Sequence, residues 1–89
     1  MSRPRQAQGN RKMRRWVVDK HWSPEAVDQL ERAIVDGDRV QLYRRGTEYV
    51  VTPHEIRLSG NSEELHATTN AGDDLTFQMD EIESFVVLA

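Results

Sequence analysis

The 89-residue chain contains no cysteine. That excludes a disulfide framework and thiolate chemistry, and it suits a reducing cytoplasm, the compartment expected for it. It also lacks a long apolar run. The longest, residues 85–89, is far too short to span a bilayer, so no membrane partner is expected. No apolar segment follows Arg3 and Arg5, so no secretory signal is expected either. His21, His54 and His66 lie far apart, and neither a His-Glu-x-x-His nor a calcium-loop spacing occurs. Asp36-Gly37-Asp38 has the look of a loop ligand pair, but helix capping accounts for it. No metal site and no cofactor are expected.

Catalytic groups are equally hard to assemble. Acid–base work by carboxylates needs a pair whose environments push their pKa values apart. Glu63-Glu64 and Asp73-Asp74 fall at a strand start and a turn, where a solvated face is the default. Ser59 and Ser62 flank a Gly-Asn turn and lack the strand–elbow–helix context of a nucleophile. The chain reads as a non-enzymatic protein.

What is present is a marked split of charge. Residues 1–20 hold seven Lys or Arg against Asp19, a balance of +6, whereas residues 21–89 hold five basic and fourteen acidic side chains, a balance of −9. A basic arm on an acidic body points to contact with a polyelectrolyte or to self-docking. Residues 1–15 carry Pro4, Gly9 and Asn10 and no large apolar residue besides Met1 and Met13, so nothing offsets the entropy of ordering them. They are expected to be a disordered basic arm. Residues 16–22 follow as a docking linker, apolar enough to pack and too short to fold alone.

Residues 23–89 are expected to form one domain. Ser23-Pro24-Glu25 is a helix start: a hydroxyl to accept from an orphan amide, a proline where no N–H is needed, and a carboxylate at the positive end of the dipole. Trp22 and Val27 have the spacing of a hydrophobic staple. Val27, Leu30 and Ile34, with Ala26 and Ala33, make an apolar stripe, Asp28 and Arg32 form an i,i+4 pair, and Gly37 ends the helix.

After the helix the apolar period changes to two, the mark of half-buried strands. Residues 39–44 alternate with Val40 and Leu42 inward, Arg45-Gly46 is a turn, and residues 47–52 form the next strand. Pro53 demands a bend, a bulge or an edge before Ile56 and Leu58 resume the alternation. A Gly60-Asn61-Ser62 turn leads to Leu65, Ala67 and Thr69, and a loop around Gly72 to Leu75, Phe77 and Met79. Asp80-Glu81-Ile82 then breaks the alternation before the apolar run from Ser84. One helix and five short strands, with no internal repeat, suggest a small five-stranded barrel of the Sm-like or SH3-like kind, closed by its last strand.

The order of Leu30, Ala33 and Ile34, then Val40 and Tyr43, Pro53 and Leu58, Leu65 and Ala67, resembles the WYL domain of bacterial transcription regulators. Phe77-Gln78-Met79-Asp80-Glu81-Ile82 is similar to that family's Phe-Arg-Leu-Asp-Arg-Ile pattern. The resemblance implies an Sm-like barrel that binds nucleotides or nucleic acid. This chain departs from it in carrying Glu63 and Glu64 where the name-giving tryptophan and tyrosine fall, and Gln78 and Glu81 at the basic ligand-contacting positions. No helix-turn-helix precedes the barrel. Asp80-Glu81-Ile82-Glu83-Ser84-Phe85 is also similar to the closing pattern of the Rho-binding antiterminators, which bind a protein.

Two binding surfaces follow. Arg11, Lys12, Arg14, Arg15 and Trp16 interleave positive charge with an aromatic, the composition that tracks a phosphate backbone and stacks a base, with single-stranded nucleic acid as the partner. Glu63, Glu64, Glu81 and Glu83 make an acidic face suited to a basic protein surface. The first implies a module in transcription or RNA-related regulation; the second implies an adaptor or inhibitor.

Overall fold

The computed structural model describes residues 14–88. Strand β1 (Arg15–Val17) is followed by helix α1 (Pro24–Asp36), then β2 (Arg39–Arg44), β3 (Thr47–Ser59), β4 (Ser62–Thr68) and β5 (Asp74–Gln78). A single 3-10 turn (Met79–Glu81) joins β5 to β6 (Ile82–Leu88). All strand pairs are antiparallel, in the order β1-β6-β2-β3-β4-β5.

The helix forms where its punctuation places it. The Ser23 hydroxyl accepts from the Ala26 N–H at 3.1 Å, which satisfies one orphan donor and contributes about 1 kcal/mol. At the other end Gly37 adopts φ +73°, so its N–H reaches the Ile34 carbonyl while the Asp38 N–H reaches that of Ala33, the paired bonds of a Schellman cap. The Asp28–Arg32 pair is in place at 3.2 Å. The buried face is Ala26, Leu30 and Ala33, a narrow stripe in which two alanines flank the fully buried Leu30 where α1 packs against β3. Ile34 is only half-buried at its margin.

β3 is the long element. It pairs with β2 through residues 47–51 and with β4 through residues 52–59, so one strand serves both halves of the sheet. Pro53, which cannot donate to a ladder, sits buried at this changeover, and the register slips between Pro53 and Glu55. Of the three outcomes open to Pro53, the chain takes the bulge without interrupting the strand. Arg45 (φ +53°) and Gly46 (φ +77°) close the β2–β3 hairpin with both residues left-handed, the backbone of a type I′ turn.

The core gathers Leu30 from α1, Val40 and Leu42 from β2, Val51 from β3, Leu65 and Ala67 from β4, Phe77 from β5, and Ile82 and Phe85 from β6. Phe77 meets Tyr49 edge-to-face at 5.1 Å.

Two expectations need correction. There are six strands: Arg15, assigned to a disordered arm, and Trp16, assigned to a linker, belong to β1. Their backbone finds partners in β6, about 70 residues away, which local composition does not reveal. The last strand begins at Ile82, because the break at Asp80 is a compact 3-10 turn that returns the chain to the sheet at once. The hydrogen-bonded order runs from β1 at one end to β5 at the other, and no pairing joins these two among the described residues.

Phe77→Ala should cost about 3–5 kcal/mol by removing a fully buried ring, most of the stability of a domain this small. Thermal denaturation within a degree or two of wild type would contradict the core described.

Candidate functional site

Among the described residues three surfaces carry the charged or exposed apolar side chains from which a site could be built. The first surrounds β1. Arg15 faces one side of the sheet, where its Nη1 donates to the Ser84 hydroxyl at 2.9 Å and its guanidinium lies 5.0 Å from the Tyr43 ring. Tyr43 in turn donates to Glu48 at 2.9 Å, and Gln41 donates to the same carboxylate. Trp16 faces the other side, half-buried and stacked on its register partner Phe85 at 6.4 Å, with the exposed Arg14 guanidinium 4.2 Å from its ring. The aromatic set down as a base-stacking platform is thus engaged by the protein itself. Arg11 and Lys12 lie outside the described residues.

A turn secures this strand. The Val18 and Asp19 amides both donate to the Glu83 carbonyl, at 2.9 and 3.0 Å, and the His21 amide closes back on the Val18 carbonyl. Asp19 (φ +41°) and Lys20 (φ +75°) are both left-handed, a conformation that costs a non-glycine residue about 1–2 kcal/mol. Trp22 follows, its indole N–H donating to the Met79 carbonyl at 2.8 Å and its ring stacked on Phe85 at 5.5 Å. It is packed structurally, as its place before the helix suggested.

The second surface is a cleft of about 460 Å³ lined by Asp19, Lys20, Arg45, Asp80, Glu81, Ile82 and Glu83. Glu81 accepts from Arg45 at 2.7 Å; with Arg45 largely in solvent the pair contributes little, about 0.2–1 kcal/mol. The acidic face does not assemble as expected. Glu81 and Glu83 line this cleft, whereas Glu63 and Glu64 stand on β4. As consecutive residues of a strand, those two point to opposite faces. Glu64 accepts from Gln78 at 3.1 Å and lies 3.3 Å from the His66 ring, and Glu63 is fully solvated opposite Leu58.

The third surface was not foreseen. Between α1 and β3 runs an apolar groove of about 380 Å³ with Ile34, Val35 and Ile56 in its walls and Glu31, His54 and Glu55 at its rim. Val35 is 83% exposed. Leu58, 69% exposed, lies two residues beyond Ile56 and so on the same face of β3, with Glu63 across from it. The helical period marked Ile34 for the core and the strand period marked Leu58, but the β3–β4 hairpin runs on past the end of the core. All of residues 57–63 are exposed.

Among the described residues no cluster of His, Asp and Glu could hold a metal ion, and no helix is long and apolar enough to cross a membrane. Comparison with protein-family models, with curated proteins and with solved structures finds no match to this chain.

Lys20→Gly should raise stability by about 1 kcal/mol, because glycine takes φ +75° without strain. Trp16→Ala should lower it by about 2 kcal/mol through the loss of a half-buried ring. Chemical denaturation checks both, and a neutral Trp16→Ala would show that β1 is not held by its stack on Phe85.

Proposed function

We propose that this chain is a small non-enzymatic binding module, and that it docks a partner protein on the face formed by α1 and the β3–β4 hairpin. The observation that carries the reading is the apolar groove of Ile34, Val35 and Ile56, with the exposed Leu58 two residues further along the same face of β3. Single exposed apolar residues are ordinary, but several set along one groove are how a docking surface is built. Its border is acidic. Glu31 has no ion-pair partner among the described residues, Glu55 is paired with the exposed Arg57, and Glu63 stands free beside Leu58. The partner that fits is a segment with one or two apolar anchors flanked by Lys or Arg. The anchors displace water from the groove while the charges steer and align the encounter. Of the carboxylates singled out from the sequence, Glu63 serves this surface directly. The resemblance to the WYL domain and to the Rho-binding antiterminators supports a place in cytoplasmic gene-expression machinery, with an Sm-like barrel as the scaffold and the antiterminators' protein-binding mode as the nearer parallel.

Amide chemical-shift mapping with synthetic peptides tests the reading. A Leu-bearing, Lys/Arg-flanked peptide should perturb Glu31, Val35, His54, Ile56 and Leu58, and an acid-flanked peptide of the same anchors should not. Val35→Glu and Leu58→Glu, both at exposed positions, should each weaken binding tenfold or more while leaving the melting temperature in place. Equal response to both peptides, or shifts confined to the other faces, would remove the reading.

A second reading has the basic end of the chain contacting single-stranded nucleic acid, favoured by the +6 balance of residues 1–20 and by the exposed Arg14. With Trp16 covered by Phe85 and Arg14, only charge is left to hold the strand. For ~4 phosphate contacts the slope of log affinity against log salt would be about −3. Labelled RNA titrated at rising salt should therefore show weak binding lost by physiological ionic strength. Salt-insensitive binding would instead demand stacking that this geometry does not offer.

A further inference from the structure

Among the described residues the sheet ends in two unpaired edges, and they are built differently. β1 is three residues long, carries Arg15 and is preceded by the exposed Arg14; short and charged, it has the usual defences against pairing with another chain. β5 is five residues long and contains no proline, glycine or lysine. Its one charge, Asp74, stands at its first position. Along its outer side no strand is paired among the described residues. Alternate residues of an extended strand aim their N–H and C=O groups to opposite sides, so part of the β5 backbone is left open to a further strand.

The sequence of that strand is complementary to itself. We infer that β5 is a self-association edge, through which two copies of this chain pair antiparallel about a two-fold axis passing beside Thr76. Centred there, Asp74 of one copy faces Gln78 of the other, Leu75 faces Phe77, and Thr76 faces Thr76. The outer-face pairs are favourable, a carboxylate with an amide donor and two hydroxyls at the axis; on the core side the half-buried Leu75 gains cover from the partner, Phe77 being already enclosed. A register centred on Asp74 would set two carboxylates face to face. One centred on Gln78 would run into the 3-10 turn at Met79. The contact is isologous, so each interaction is made twice, and the six-stranded sheet becomes one of twelve strands. Five residues bury less surface than a permanent dimer requires, so the association is concentration-dependent. It is independent of the groove beside α1, because β4 and β3 separate β5 from it.

Analytical ultracentrifugation of the full chain over a wide concentration range tests this, with Thr76 as the lever. Thr76 is exposed, so Thr76→Lys and Thr76→Glu should fold and melt like wild type. The wild-type mass should rise from one chain toward two. Each variant sets like charges together at the axis and should stay monomeric, while an equimolar mixture of the two should dimerise at least as well as wild type. That rescue in trans cannot arise from a merely structural effect of the substitutions. A wild-type chain that stays monomeric at its highest soluble concentration would overturn the inference. So would a Thr76→Lys variant that dimerises unchanged, or a mixture that fails to associate. A monomer in which the outward-facing β5 amides, those not bonded to β4, resist hydrogen exchange would also overturn it, by assigning the edge to a segment of the same chain.

Discussion

Phe85 is the contact on which the rest of the molecule depends. It is fully buried in β6, paired in register with Leu42 on one side and with Trp16 on the other. Both tryptophans of the chain stack on its ring, Trp16 at 6.4 Å and Trp22 at 5.5 Å. One side chain therefore ties together the middle of the sheet, the N-terminal strand and the segment leading into the helix. The Trp22 indole, anchored to the Met79 carbonyl, then fixes where α1 begins relative to the 3-10 turn. In a domain whose core is this small, such multiple use of one ring replaces the redundancy that larger proteins have.

Around that node the chain solves a second problem, how to enclose a core with few strands. The bulge at Pro53 turns β3 from its pairing with β2 to its pairing with β4, bringing Leu65 and Phe77 to the same interior as Val40 and Phe85. At the end of β2, Arg44 occupies an inward position, donates to the Tyr49 hydroxyl at 3.0 Å and lies over the Tyr49 and Phe77 rings, closing the core with its long stem. The hairpin beyond Pro53 is longer than the core needs, and that excess leaves Leu58 in water.

Much of the fold was legible because its signals are local. Ser23, Pro24 and Gly37 announce the helix by capping chemistry, and the alternation of Val40 with Leu42, and of Leu65 with Ala67, announces strands. β1 was not legible. Arg15, Trp16 and Val17 follow directly on a run of arm-like basic residues, and only pairing with β6, about 70 residues away, makes a strand of them. The apolar groove was hidden for a related reason. A helical stripe says which residues share a face, not how the helix is rotated on its support. Here the small Ala26 and Ala33 turned inward and left Ile34 and Val35 at the margin. The acidic face failed on geometry alone, since Glu63 and Glu64, adjacent in sequence, are on opposite sides of a strand.

The position of β6 has a consequence for how the chain comes to be folded at all. It comes last in sequence among the six strands described, yet it lies inside the sheet, between β1 and β2. The hairpins of β2, β3, β4 and β5 can assemble from neighbours in sequence as the chain leaves the ribosome. The contacts of Phe85 with Leu42, Trp16 and Trp22 span more than 40 residues and must wait. Non-local contacts of this kind raise contact order and slow folding. Until Phe85 has been made, the nascent chain lacks the strand that seats β1, and its two tryptophans have no ring to pack on. A truncation that removes Phe85 would leave it in that state for good.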